Sequence, residues 1–370
     1  MKGPASVVSY MKKTGRKGRT MYTYQSKKIT IIAILEILNK HSDFEHRLSA
    51  QEIIDLLQKE YDIKIDRKAV KRNLMDLVGF GYPVEYREIS KKNAKGEEEN
   101  IYTDWYIEHK FDPSELRLLI DSLLFSKHIP YSQCKELIEK LVGLSNKYFE
   151  ADVKYIHNLT DTLPRNPEVM LTIEVLNEAI RRKRQVVFNY REYDTNKKIR
   201  LKKDKNGEEA LYKRTPYQMV ATNGRYYLIC SSDRHKDLAN YRVDRISNIK
   251  LLEKEKARPL SDVKGGEHGL NLPKHMAEHI YMYSGEGVRV RFLAYRTIMD
   301  DIVDWFGLEF DVRENDEELV EVSVIVNEDA MFNWAMQYGG RVEVLSPKSL
   351  RDRLTEASAN MAKKYAGAGK

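Results

Sequence analysis

The sequence predicts an α+β chain of several domains, and three observations carry that prediction. Three short helical patterns followed by two strand patterns occupy residues 26–110. A dense run of strands surrounds residues 214–246. Between residues 285 and 366 strand and helix alternate in the order βαββαβ, which is that of a ferredoxin-like domain. At 370 residues the chain has length for two to three domains. Its 32% of charged and 42% of apolar residues read as a soluble globular protein. The longest apolar run, near Ile29–Leu38, falls short of the roughly 18 residues of a membrane span, so no membrane partner is expected. Cys134 and Cys230 stand apart without CxxC spacing, which suits a reducing cytoplasm.

The net charge of +7 is unevenly spread. Residues 1–28 carry eight Lys/Arg and no acid, and residues 181–214 carry thirteen Lys/Arg against five acids. The rest of the chain is therefore acidic. Two concentrated basic stretches on such a background point to polyanion contact. Basic tails and helix faces are also commonly just solvated.

Taken in order, residues 1–25 lack helical periodicity and read as a flexible basic arm. Ile29, Ile32, Ala33, Leu35, Ile37 and Leu38 form a first helix. Ser49 caps a second, with Ile53, Ile54, Leu56 and Leu57 on its apolar side. Asp66 caps a third, in which Val70, Leu74, Leu77 and Val78 recur at helical spacing until Gly79 or Gly81 stops it. With that stripe facing a core, Arg67, Lys68, Lys71 and Arg72 fall mostly on the open side. Strands at Val84–Ile89 and Ile101–Ile107 follow, joined by the polar loop Lys91–Gly96. Residues 26–110 thus match a winged helix-turn-helix, whose last helix enters the major groove. Arg67 or Lys68 would read bases, whereas Lys71, Arg72 and the loop lysines Lys91, Lys92 and Lys95 would position phosphates. A protein-binding winged helix is the competing reading of the same elements.

Residues 111–165 continue as a helical linker. Asp112-Pro113-Ser114-Glu115 opens a helix with Leu116, Leu119, Ile120, Leu123, Leu124 and Phe125 on its apolar face. Leu137, Ile138, Leu141 and Leu144 form the next helix, and Pro164 and Pro167 mark a boundary. This part packs on neighbouring domains or serves as a dimer interface, and the pattern suits either. A helix from Glu168 to about Lys183 leads into the β module of residues 166–258, beginning with Gln185–Arg191. Arg214-Thr215-Pro216-Tyr217 enters a strand, Asn223-Gly224 supplies a hairpin turn, and Arg225–Cys230 returns. Tyr241–Ile246 alternates large and charged side chains as a further strand.

The module resembles the WYL domain of bacterial transcription regulators. The resemblance lies in Tyr226-Tyr227-Leu228, in Arg214 ahead of Pro216-Tyr217, and in Tyr241-Arg242-Val243-Asp244-Arg245-Ile246. Gly340–Pro347 followed by Leu350 resembles the C-terminal extension that accompanies such domains, so the resemblance covers nearly the whole chain beyond the basic arm. It implies a small Sm/SH3-like β-barrel that binds an anionic small-molecule or oligonucleotide effector. Carried over by position, the ligand patch would comprise Tyr190, Arg214, Tyr227, Arg242 and Arg245. Ala239 stands where many members have an additional Arg, and Asp233-Arg234-His235 where many have a His soon after the Tyr-Leu strand.

A Gly-rich linker at 259–284 precedes the C-terminal domain of residues 285–366. Within it His275-Met276-Ala277-Glu278-His279 matches H-x-x-E-H, but no distal acidic ligand accompanies it, and the pair reads as incidental surface histidines. Asp300, Asp301 and Asp304 read as the solvated face of an amphipathic helix, and the terminal Gly367–Lys370 as a tail. No catalytic constellation, metal site or cofactor is expected. The expectation is a cytoplasmic, dimeric, ligand-responsive regulator that binds a double-stranded DNA operator. The alternative is a single-strand nucleic-acid-binding accessory protein without operator specificity, with Tyr226 and Tyr227 as stacking platforms.

Overall fold

The computed structural model describes residues 27–92, 98–153, 166–234 and 237–367. Outside them fall the basic arm, Asn93–Gly96 with Lys95, the Pro164 boundary, His235 and the end of the tail. The chain divides into two compact units, Met1–Asp121 with Lys135–Leu159 and Ser122–Cys134 with Thr160–Lys370. The segment expected as one helical linker is therefore split between them.

In the first unit, α1 (Lys27–His41), α2 (Ala50–Tyr61) and α3 (Arg67–Phe80) precede the antiparallel pair β1 (Val84–Lys92) and β2 (Glu98–Ile107). Ser49 and Glu52 form a reciprocal capping box at the start of α2. The Asp66 carboxylate accepts the Ala69 N–H, and Gly81, at φ 98°, ends α3 in a left-handed conformation that favours glycine. Ala33, Ile34, Ile37 and Leu38 meet Ile53, Leu57, Val70, Leu74 and Leu77 in one core, closed from the strand side by Val84, Trp105 and Ile107. Leu48 and Trp105 exchange both backbone hydrogen bonds at 2.8 Å, which adds a one-residue rung to the sheet.

Two helices contribute to both units, α4 (Pro113–Phe125) and α5 (Tyr131–Val142). Asp112 and Glu115 cap α4 reciprocally. Leu116 and Ile120 are buried on it, whereas Leu119 and Phe125 are exposed, so the buried stripe is narrower than the sequence implies. A short α6 (Lys147–Asp152) follows.

The second unit opens with α7 (Val169–Arg182). Its Val169, Leu176 and Ala179 pack against Val186 and Phe188 of β3 (Arg184–Tyr193). After β4 (Ile199–Leu201) come β5 (Leu211–Thr222), β6 (Arg225–Ser231), β7 (Ala239–Arg242) and β8 (Ile246–Lys256). The sheet order is β4–β3–β5–β6–β7, with β8 also on β3. Strand β3 is thus the hub, pairing with β5 and β8 along its first part and with β4 along its last. Asn223 and Gly224, at φ 51° and 70°, make the β5–β6 turn that the sequence signals. The expected strand Tyr241–Ile246 is broken: Val243–Arg245 form one 3₁₀ turn anchored by buried Val243. A strand would send Asp244 and Arg245 to opposite faces, whereas the turn brings both to one pocket.

The stretch expected as a Gly-rich linker is packed. Val263 and Met282 are buried with Val220, Ile229 and Leu238, and α8 (Leu272–Glu278) lies within it. His275 and His279 are buried there, not on the surface. Their rings stack with centroids 4.1 Å apart, and each ring bonds within the fold, His275 to Asn240 and His279 to the carbonyls of His275 and Gly285. Sequence spacing misleads at this point because i, i+4 histidines suit a helix face whether that face is wet or packed. Among the described residues no group of three or more His, Cys, Asp or Glu could hold a metal ion. No described helix is long and apolar enough to cross a membrane.

The chain ends with β9 (Gly287–Tyr295), α9 (Met299–Phe306), β10 (Asp311–Glu314), β11 (Leu319–Asn327), α10 (Glu328–Tyr338), β12 (Val342–Ser346) and α11 (Lys348–Ala366). The sheet order is β10–β11–β9–β12, every pair antiparallel. Phe292, Phe306 and Trp334 fill its core.

Candidate functional site

Two cationic features stand out, one in each unit. On α3 the burial of Val70, Leu74 and Leu77 leaves Arg67, Lys68, Lys71 and Arg72 exposed on the remaining face, because residues three and four apart share a side of a helix. Arg67 is oriented by two hydrogen bonds to Gln51 Oε1, at 3.0 and 3.3 Å. The Lys71 ammonium sits 4.0 Å from the centre of the Tyr102 ring. Lys68 and Arg72 make no such contact among the described residues. At the strand ends Lys91 and Lys92 are exposed, and Lys92 stands opposite exposed Glu98 in the register.

The second feature is a cavity of about 220 Å³ beside β3. Arg191, Glu192 and Tyr193 from β3, Arg225 from β6, and Arg242, Asp244 and Arg245 from the end of β7 and its 3₁₀ turn line it. Lys127, Asn166 and Ile199 complete it. Five cations thus meet two carboxylates in one small space. The Arg242 guanidinium forks onto Asp244, with Nε–Oδ1 3.1 Å and Nη2–Oδ2 2.6 Å. Burial works against the Arg242 charge, but the Asp244 carboxylate, helped by the phenols of Tyr227 and Tyr190, leaves its pKa raised. Arg225 reaches the same carboxylate at 3.8 Å. Asp244 is thereby committed to two arginines. Arg245 is different: its Nε is buried and has no hydrogen-bond partner among the described residues. A guanidinium left so in a concave site is a ready donor for an anion's oxygens.

Of the five residues that the sequence places at a ligand patch, Arg242 and Arg245 line the pocket and the other three do not. Tyr190 is largely buried, which raises its pKa, and its hydroxyl accepts the Arg242 backbone N–H at 3.1 Å. It shapes the pocket from behind. Arg214 is bound into an aromatic cluster, donating to Tyr241 Oη and lying 5.2 and 5.1 Å from the ring centres of Tyr212 and Tyr241. Tyr227 stands opposite Arg242 in the β6–β7 register and packs with Val220 and Ile229. The Tyr226 ring is stacked on His128, centroids 5.4 Å apart, so a protein ring already uses one face. Sequence reasoning missed Arg191, Arg225 and Lys127. Arg191 adjoins Tyr190 in the aromatic-Arg pair that ends the entry strand, and Arg225 adjoins Tyr226-Tyr227-Leu228; those positions were their signal. For Lys127 there was none, since it lies far away in sequence.

Residues 172–251 match the family model of the WYL domain, and residues 286–362 match that of the WCX domain. No curated protein matches the sequence. Among solved structures, proteasome accessory factor B/C of Arthrobacter aurescens is similar at 15% identity and a TM-score of 0.29, over 94% of this chain and 51% of that one. The present chain therefore spans about half of that protein's length. A CRISPR Cas-related protein is similar at 14% identity and a TM-score of 0.36, over 98% of this chain and 92% of that one. Both superpose loosely, and nothing about this chain's partners follows from either.

Proposed function

We propose that this chain, which carries a WYL and a WCX domain, is a ligand-responsive DNA-binding transcription regulator. In this reading α1–α3 with β1 and β2 are a winged helix-turn-helix, the sheet around β3 is a small Sm-like barrel that senses an effector, and the last domain is ferredoxin-like. The observation that carries the reading is the exposed row Arg67, Lys68, Lys71 and Arg72 on a helix whose opposite face buries Val70, Leu74 and Leu77. Such a row meets phosphates on either side of a major groove, and its affinity falls steeply with salt. The effector is anionic, nucleic-acid-derived in the leading version, and docks among Arg191, Arg225, Arg242 and Arg245. A homodimer in the cytoplasm, on two half-sites of an operator, completes the proposal.

Fluorescence anisotropy on the duplex upstream of the protein's own gene tests it. Scrambled duplex and a short single strand serve as controls, at two salt concentrations. A regulator prefers its operator by about a thousandfold or more. Equal weak binding to both duplexes, with preference for the single strand, would overturn the operator reading and favour an accessory protein.

A further inference from the structure

Residues Ser122–Cys134 belong to the second unit, although the chain on either side of them belongs to the first. The turn between α4 and α5 is fastened to the β5–β6 hairpin. The Lys127 N–H donates to Gly224 O at 2.8 Å. The His128 ring lies parallel to Tyr226, with 8° between the planes, and its Nδ1 is 3.0 Å from Ser126 Oγ. Gly224 leaves room for this approach: a Cβ there would come within 3.1 Å of the Phe125 carbonyl oxygen and 3.4 Å of the Phe125 ring. Ser126, Ile129 and Pro130 are buried, so the turn is a docked strap. Its Lys127 side chain is exposed and lines the arginine pocket.

We propose that this strap is the element that reads the occupancy of the pocket: Lys127 contributes a cation to the bound anion, and ligand binding and strap docking are therefore mutually reinforcing. The inference rests on the anion-pocket reading above. Four pocket cations lie on β3, β6, the end of β7 and its 3₁₀ turn, whereas Lys127 lies on the docked turn, its backbone N–H on Gly224 O and its ammonium 5.8 Å from the centre of the Phe125 ring. Of the five cations it is the one carried by the turn between α4 and α5 and not by the sheet or its 3₁₀ turn. An anion that gains affinity from Lys127 must tighten the strap by the same factor, because linkage is reciprocal. Both ends of the strap continue into helices that enter the first unit, so a change in docking is passed on through the covalent chain.

The test uses the full chain, with inorganic phosphate as the probe. Phosphate affinity comes from calorimetry, and hydrogen exchange follows the amides of Phe125–Ile129. In the wild type, phosphate should slow exchange across the strap as well as in β3 and β6. Lys127→Ala should weaken phosphate roughly fivefold, the scale of an exposed ion pair. It should also abolish the slowing in the strap while leaving that in the strands. Lys127→Arg should restore both. If phosphate binds the wild type, weakens on Arg245→Ala and leaves the strap amides unchanged, the coupling is overturned while the pocket reading stands. If phosphate does not bind the wild type, the pocket reading falls and takes the coupling with it.

Discussion

Arg214 donates from both Nε and Nη2 to the phenol oxygen of Tyr241, at 3.2 and 2.6 Å, while its guanidinium lies against that ring and the ring of Tyr212. Phe188, Tyr190, Tyr212 and Tyr241 form a continuous aromatic cluster around it. The arginine that opens the Pro-Tyr strand is thus a bracket between β5 and β7. Arg214→Ala is expected to cost about 2 kcal/mol, from two charge-assisted bonds and the ring contacts. Phosphate affinity at 25 °C should change by less than twofold. Urea unfolding and calorimetry separate the two effects, and a large loss of affinity with unchanged stability would return Arg214 to the ligand patch.

What the sequence made legible was local. The caps at Ser49 and Asp66, the Asn223-Gly224 turn and the alternation after residue 285 each depend on residues within a few positions of one another. What it hid depends on distance or on a degenerate pattern. Tyr241–Ile246 alternates as a strand would, yet buried Val243 turns the chain after Arg242 and re-aims Arg245. Lys127 and Arg225 are brought to one cavity by the strap's contact with the β5–β6 hairpin, which no periodicity encodes.

Arg242 and Arg245, three residues apart, should behave oppositely. Arg245 has a buried Nε with no partner among the described residues, so its removal relieves an unsatisfied donor as it removes a ligand contact. Arg245→Ala should leave stability within about 0.5 kcal/mol and weaken phosphate roughly tenfold, on the scale of a charged hydrogen bond. Arg242→Ala takes both short bonds from Asp244, whose side chain is 13% exposed, leaves it Arg225 at 3.8 Å, and should cost about 2 kcal/mol. Thermal unfolding with and without phosphate distinguishes the pair. Equal destabilisation by both would mean that Arg245 is structural.

On α3, Lys68 and Arg72 are the cations to remove first, since neither is held by a neighbouring side chain among the described residues. If they contact phosphates, each Ala substitution should reduce the slope of log K against log salt by about one, uniformly over DNA sequences. Arg67, fixed by Gln51, is the candidate for reading a base, and Arg67→Ala should narrow the gap between operator and scrambled duplex by about 1–3 kcal/mol. Slopes that do not change in any of the three variants would remove α3 from the DNA interface.

The buried pair His275 and His279 gives the second unit an acid limit. Burial, with a smaller contribution from the charge of His279, lowers the His275 pKa from 6.5 to about 4. The unfolded chain therefore binds a proton at His275 that the folded chain refuses, throughout the interval between those values. Stability from this group is complete above pH 6.5 and declines as pH falls, by roughly 2 kcal/mol at pH 5. The decline levels off below the folded value. Buried His41, whose pKa is also lowered by burial, adds to the trend in the first unit. His275→Gln keeps a donor toward Asn240 Oδ1 and cannot titrate, so the second unit's unfolding free energy should become flatter between pH 6.5 and 5. Hydrogen exchange resolved to α8 and β9 follows this unit alone. An unchanged pH slope in the variant would show that His275 is not the group that titrates.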